Sequence, residues 1–422
     1  MEKRRYRATN VKQINWEKVA ELAAGQPTVL GVDVAKDEFF AALMKTDRSV
    51  IDTIKWVHPQ QTPEMAEHLF QNVDVQNLEV VMEPSGTYGD ALRGYLTRLG
   101  LALYRVSPKR VHDAAEVYDG VPSLHDAKSA YLIARVHLDG ASAPWEELSV
   151  SRRDHHALTA ELDLYQGQHQ ANLNRLEAYL NRHWPEVIRI LDLDRVSLHT
   201  LIGEYGDPSQ VSAHREQAGQ LLRRTGRGLL RAEKVQQVLD SSETTLGLPC
   251  TEGERHLLQV LGQELLRTHQ ALKALEHQIS EVVEDDLVLR RMASVVGKTT
   301  SLVLETTQGT PLDYSNPHGY LKGLGLNLKE RSSGKHAGKL KITKRGPGKA
   351  RKYLYFAALR WSHQDPVITA WYQTKIKRDG GLKGKAIIAV MRKLALSLWY
   401  VARGEAFDSR KLFNARALGF TA

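Results

Sequence analysis

Apolar residues gather in short β-branched runs over the first third of the chain and in long three-and-four-spaced stripes after it. Thr28 to Val34, Glu38 to Met44, Val50 to Trp56 and Leu78 to Met82 each read as a strand, and LALYRV as a fifth. Between the last two, Tyr88 to Leu99 reads as a helix ending at Gly100, and Asp126 to Val136 as another, with Ala130, Ile133 and Ala134 on one face. From about Ser151 the pattern turns helical. Leu158, Leu162, Tyr165, Leu173, Leu176 and Leu180 form one stripe, ending near Trp184-Pro185. Leu258, Leu261, Leu265, Thr268, Leu272, Leu275, Ile279 and Val282 form a stricter heptad seam with one polar break at Thr268. That seam predicts a coiled coil, either between the two long helices or between protomers.

Two acids interrupt the strand pattern. Asp33 closes the first apolar run and Glu83 follows the fourth, and a carboxylate at the tip of a core strand is costly unless a cation neutralises it. Three adjacent strands and then a fourth, with Asp on the first and Glu after the fourth, is the layout of an RNase H or RuvC-like nuclease. In that layout the acids surround Mg²⁺, which favours hard oxygen ligands. Glu83-Pro84-Ser85-Gly86 also reads as a turn. Asp126, at a helix start, is either an N-cap or a further ligand. One turn on, the position for another acid is Ser129, and Asp119 in the preceding loop is the alternative fourth acid.

Composition narrows the partners. At 422 residues the chain calls for two or three domains, and a net charge of +9 points to an anionic partner. No apolar run approaches the roughly 20 residues that span a bilayer, and the basic N-terminus lacks a signal peptide's apolar core, so the cytoplasm and no membrane partner are expected. Cys250 is the single cysteine, and the 17 histidines show no HExxH spacing, so any metal falls to carboxylates. GKTT at Gly297 imitates a phosphate-binding loop, but Met292 stands where the first glycine should be, and a turn between two short helices fits better.

Positive charge concentrates in two places. Arg223, Arg224, Arg227 and Arg231 lie in a Gly-broken helical insert, where they face phosphates or merely solvent. Lys335, Lys339, Lys341, Lys344, Arg345, Lys349, Arg351 and Lys352 alternate with glycines, which let the backbone follow a phosphate chain closely. Ser332 and Ser333 sit at the mouth of that loop, each a possible nucleophile among cations. Tyr353, Tyr355 and Trp361 follow at helical spacing, as core or as base-stacking surfaces.

GVDVAKD, MEPSGTYG, HDAKSAYLIAR and SSGKHAGKLKITKRGPGKARKYLYFAAL together resemble the insertion-sequence transposases related to the Piv DNA invertase, the "IS one-ten" family of bridge recombinases. The resemblance implies an α/β RuvC-like (RNase H fold) domain over 27–145, a helical coiled-coil region over 151–290 with the basic insert at about 205–250, and a mainly helical, serine-containing transposase domain over 291–422. Residues 1–26 form an N-terminal extension. It implies Asp33, Glu83 and Asp126 as ligands of Mg²⁺ (or Mn²⁺), with the fourth acidic position held by Ser129 unless Asp119 substitutes. Ser333, before Gly334, matches the family serine and would form a phosphoserine link to DNA. Donor and target DNA, a guide (bridge) RNA from the same element, a homo-oligomer and a bacterial, nucleoid-associated setting complete the expectation. A metal-dependent nuclease of the Holliday-junction resolvase type, using water in place of serine, and a non-catalytic nucleic-acid-binding descendant are the alternatives.

Overall fold

The computed structural model describes residues 6–84, 86–330, 338 and 340–420, and divides into two compact units, Met1–Glu147 and Leu148–Ala422. The first is an α/β unit. Its elements are β1 (Thr9–Asn10), α1 (Trp16–Ala23), β2 (Thr28–Asp33), β3 (Glu38–Lys45), β4 (Val50–Val57), α2 (Thr62–Asn72), β5 (Leu78–Met82), α3 (Asp90–Arg98), β6 (Ala102–Val106), α4 (Pro108–Asp113), α5 (Asp126–Leu138) and β7 (Ser142–Pro144). The strands form one mixed sheet in the order β1-β4-β3-β2-β5-β6-β7. β2 is central, antiparallel to β3 and parallel to β5.

Both faces of β2 are covered, which is why TVLGV shows no polar alternation. Leu30 and Val32 join Phe39, Ile54, Trp56 and Leu92 in one core, while Val29 packs with Val81, Ala130, Ile133 and Ala134 in the other. Residues 6–26 belong to this unit, since β1 extends the sheet beside β4 and Val11, Ile14, Val19 and Ala23 are buried in the first core. Gly31 faces α5, where a Cβ would meet the Ala130 carbonyl oxygen and the Ala134 nitrogen, each at 2.5 Å. The absence of a side chain there lets α5 lie against the strand.

The second unit is mostly helical. Its two 34-residue helices, α6 (Val150–His183) and α12 (Glu252–Asp285), enclose α7 (Val187–Ile190), α8 (Val196–Tyr205), α9 (Pro208–Ala213), α10 (Arg215–Thr225) and α11 (Ala232–Thr244). Leu162 shares a core with Leu275 and Ile279, while Leu176 shares one with Leu258, so α6 and α12 run antiparallel within one chain. Thr268, the polar break in the seam, is fully buried, and its hydroxyl pairs with His169 Nδ1 of α6 at 2.8 Å. His169 Nε2 reaches Asp194 at 2.8 Å, so the polar break is satisfied from the facing helix.

Beyond them lie α13 (Leu287–Val296), α14 (Lys298–Gln308), α15 (Pro317–Gly323), β8 (Leu328–Lys329), β9 (Lys341–Ile342), α16 (Gly348–Gln364), α17 (Pro366–Arg378), α18 (Lys383–Ala402) and α19 (Ser409–Leu412). Gly297, of the GKTT segment, is the single residue between α13 and α14 and has φ +89. β8 and β9 pair antiparallel, closing the basic loop at its base where the sequence offered only a loop. Among the described residues, no helix is long and apolar enough to cross a membrane.

Candidate active site

The acids converge at one end of β2. In the parallel ladder Val32 stands opposite Met82, so the next step along both strands sets Asp33 beside Glu83. Asp33 lies on the same face as Gly31, and Gly31 packs under Ala130 of α5, one turn after Asp126. The close strand–helix approach at Gly31 thus brings the start of α5 to the end of β2.

Electrostatics reports the same convergence. Burial, then the negative charge of Asp126, push the Asp33 carboxyl up to about 6, against a slight opposing pull from the Val34 backbone N–H. Burial, then the charge of Asp33, push Glu83 up to about 7. Neither carboxylate has an ion pair with a described residue. Asp126 does not cap its helix: His125 does so, its Nδ1 accepting from the Lys128 N–H at 3.4 Å. The exposed Asp126 carboxylate is therefore left free of that duty.

Asp119 has a different task. Its carboxylate accepts from Lys128 Nζ (3.0 Å to Oδ1), from the Val121 N–H (2.9 Å) and from the Tyr6 hydroxyl (3.1 Å). Lys128 is only 1% exposed, so Asp119 is the counter-ion of a buried ammonium, and that hydrogen bonding holds its carboxyl below the usual range. Ser129 is half-buried one turn after Asp126.

Three hard-oxygen donors without cationic partners among the described residues suit a divalent ion by chemistry. Among the described residues, no group of three or more His, Cys, Asp or Glu side chains stands close enough together to hold a metal ion.

In the second unit the basic residues divide. Lys349 Nζ donates to Asp163 (2.6 Å) and to the Thr159 carbonyl (3.2 Å), and Arg351 donates to the carbonyls of Leu324 (3.2 Å) and Gly346 (2.7 Å). These two hold the loop to its scaffold. Lys341, Lys344, Arg345 and Lys352 are exposed, as are Arg223, Arg224 and Arg227. Tyr353 donates to Gln166 (3.0 Å) and Trp361 to the Val295 carbonyl (2.6 Å), both as packing residues, whereas Tyr355 is exposed. Ser332, Ser333, Lys335 and Lys339 lie outside the described residues.

Two family models match the chain. That of the DEDD transposases of IS110, described as a transposase, matches residues 30–185, and that of the transposase IS116/IS110/IS902 family matches residues 289–373. Together they span more than half of the sequence. The chain belongs to the IS110 family of transposases. No curated protein matches it. The first match contains Asp33, Glu83 and Asp126, and the second contains the paired base of the basic loop and the serines. This IS110-family transposase is accordingly an insertion-sequence enzyme that acts on DNA, and membership of a DEDD family goes with divalent-metal dependence.

Sequence reasoning missed the Lys128–Asp119 pair, whose signal was present: a lysine on the apolar side of α5 needs a buried counter-ion. It also missed that residues 6–26 complete the sheet, because a two-residue strand is too short to show periodicity.

Proposed function

We propose that this transposase cuts and rejoins DNA strands through a phosphoserine link at Ser333, with a RuvC-like active centre built on Asp33, Glu83 and Asp126. The observation that carries the reading is the convergence of three acids at the end of β2, two of them raised by burial and by a neighbouring acid, with no cation paired to them among the described residues. The strand order β4-β3-β2-β5-β6 under α5 supports the RNase H-like layout.

Asp33, Glu83 and Asp126 would hold Mg²⁺ or Mn²⁺, which when bound supplies neutralising charge at the phosphate. The Ser333 oxygen attacks phosphorus and loses its proton. The bond to the DNA 3′ oxygen breaks, leaving a 5′ phosphoserine link and a free 3′ hydroxyl, and a 3′ hydroxyl of another strand then reverses the step. One phosphodiester replaces another, so no nucleotide triphosphate is consumed. Residues 27–145 supply the acids and 291–422 the serine, the coiled-coil region 151–290 holds a homo-oligomer on two DNAs, and a bridge RNA pairs with donor and target.

Protein co-expressed with its flanking element DNA, mixed with donor and target DNA and Mg²⁺, should give a covalent protein–DNA adduct on a denaturing gel. The adduct should persist in Ser332→Ala and fall by about 10³-fold or more in Ser333→Ala and Asp33→Asn. An adduct surviving in Ser333→Ala would sink the serine assignment. Cleavage without any adduct would favour the water-using nuclease, and RNA binding without cleavage would favour the non-catalytic descendant.

A further inference from the structure

At the base of the basic loop lies a cavity of about 390 Å³, at the lower end of the roughly 300–1,000 Å³ typical of small-ligand sites. α15 contributes Gly319, Lys322 and Gly323, the approach to β8 contributes Asn327, and the chain after β9 contributes Thr343 and Arg345. Glu330 is the single acid between Asp313 and Asp365, so the surroundings are cationic. Lys322 and Arg345 form no ion pair among the described residues.

The walls are fixed by backbone contacts. The Thr343 N–H donates to the Asn327 carbonyl and the Lys344 N–H to the Gly325 carbonyl, each at 2.9 Å. Gly346 passes so close to α15 that a Cβ would meet the Gly323 carbonyl oxygen at 2.2 Å. Tyr314, which also lines the cavity, is anchored through its hydroxyl to the Gln308 carbonyl (2.9 Å), while its own carbonyl accepts from Trp399 Nε1 (3.1 Å). Its ring packs edge-on against Tyr320, with centroids 5.3 Å apart.

We infer that this cavity seats one unpaired nucleotide of a nucleic-acid strand, with Lys322 and Arg345 on its phosphate and Asn327 beside its sugar or base. Two cations answer the charge of a phosphodiester, and the Asn327 amide, its oxygen held by the Thr343 hydroxyl at 2.5 Å, presents its N–H groups as donors. At Gly319 a Cβ would make only ordinary contact, 3.6 Å from the Tyr314 ring, whereas at Gly323 one would press on Gln308 Nε2 (2.6 Å) and the Tyr314 hydroxyl (2.8 Å), so that wall is closely packed. Resting on the reading that this unit handles DNA strands, the inference adds where a strand is gripped near the serine loop.

The test uses the full chain, a labelled single-stranded oligothymidylate and, as competitor, thymidine monophosphate. Lys322→Gln with Arg345→Gln should weaken oligonucleotide binding about ten-fold or more and reduce the slope of log affinity against log salt by about 1. Gly319→Leu, which fills the cavity without changing charge, should weaken binding similarly and leave the salt slope unchanged. Thymidine monophosphate should compete far more weakly than unlabelled oligonucleotide. Wild-type binding in Gly319→Leu with unchanged melting temperature would overturn the inference, as would cavity-dependent binding of the mononucleotide alone. An adduct formed by wild type alongside unaffected binding in both variants would sink this inference and spare the phosphoserine reading. Loss of binding in both variants, with no adduct from wild type, would do the reverse.

Discussion

Two sets of carboxylates in the α/β unit meet burial in opposite ways. Asp33 and Glu83, at the ends of β2 and β5, are desolvated next to further negative charge and rise to about 6 and about 7. Asp119, a few residues before α5, faces the buried Lys128 ammonium and is held low by its hydrogen bonds. A carboxylate that serves the fold carries its own counter-ion, whereas one left against other acids stores unfavourable charge that an added cation can relieve. By this criterion Asp119 serves the fold, which supports the proposal that Asp33, Glu83 and Asp126 are the site acids.

The largest effect on this contrast should come from Gly31→Ala. Its new Cβ would press on the backbone of Ala130 and Ala134, which can yield only if α5 leaves the sheet, at a cost of about 2–3 kcal/mol. Melting curves should show that loss. The elevated Asp33 carboxyl should also relax toward its ordinary value as Asp126 recedes, which titration followed by NMR would detect.

Asp119→Ala should produce a smaller fall in melting temperature, because Asp119 is itself partly solvated and Lys128 keeps the Val121 carbonyl (2.6 Å). Its stabilisation by Mg²⁺ should match that of wild type. Loss of the Mg²⁺ response in this variant would return Asp119 to the ligand set.

The smallest effect is a gain. With folded-state values of about 6 and about 7 against ordinary values of 3.8 and 4.5, the folded chain retains protons that the unfolded chain has released. Stability therefore falls as pH rises from about 4 to about 7, and the penalty stands in full above that window. Asp33→Asn should raise the melting temperature at pH 8 by a few degrees, on the order of 1 kcal/mol after solvent screening, and leave it unchanged at pH 4. Mg²⁺ should stabilise wild type and not this variant. A variant less stable than wild type at pH 8 would show that Asp33 is compensated after all.

Much of this was legible in the chain itself. Five apolar runs placed the sheet's main strands within a residue or so, because β-branched runs bounded by turn residues have few other solutions. Asp33 and Glu83 stood out because each breaks such a run. The heptad spacing located α12, and the failed glycine spacing at Met292 dismissed the phosphate-binding loop. Local pattern decides these features, since each depends on residues a few positions apart.

Other features depend on residues far apart in sequence, and only the tertiary structure decided them. Asp126 read as a ligand before a cap, and the capping position is held by His125. Asp119 stood in the sequence as an alternative fourth acid, and the fold pairs it with Lys128, buried on α5. Lys349 and Arg351 looked identical to Lys344 and Arg345 in a basic run, yet the first two are spent on Asp163 and backbone carbonyls while the latter two face solvent. Thr268 was a flaw in a seam until His169 met it from the facing helix. Composition and periodicity fix which residues are polar and which elements form, but whether a charge is spent or available is set by the group folded against it.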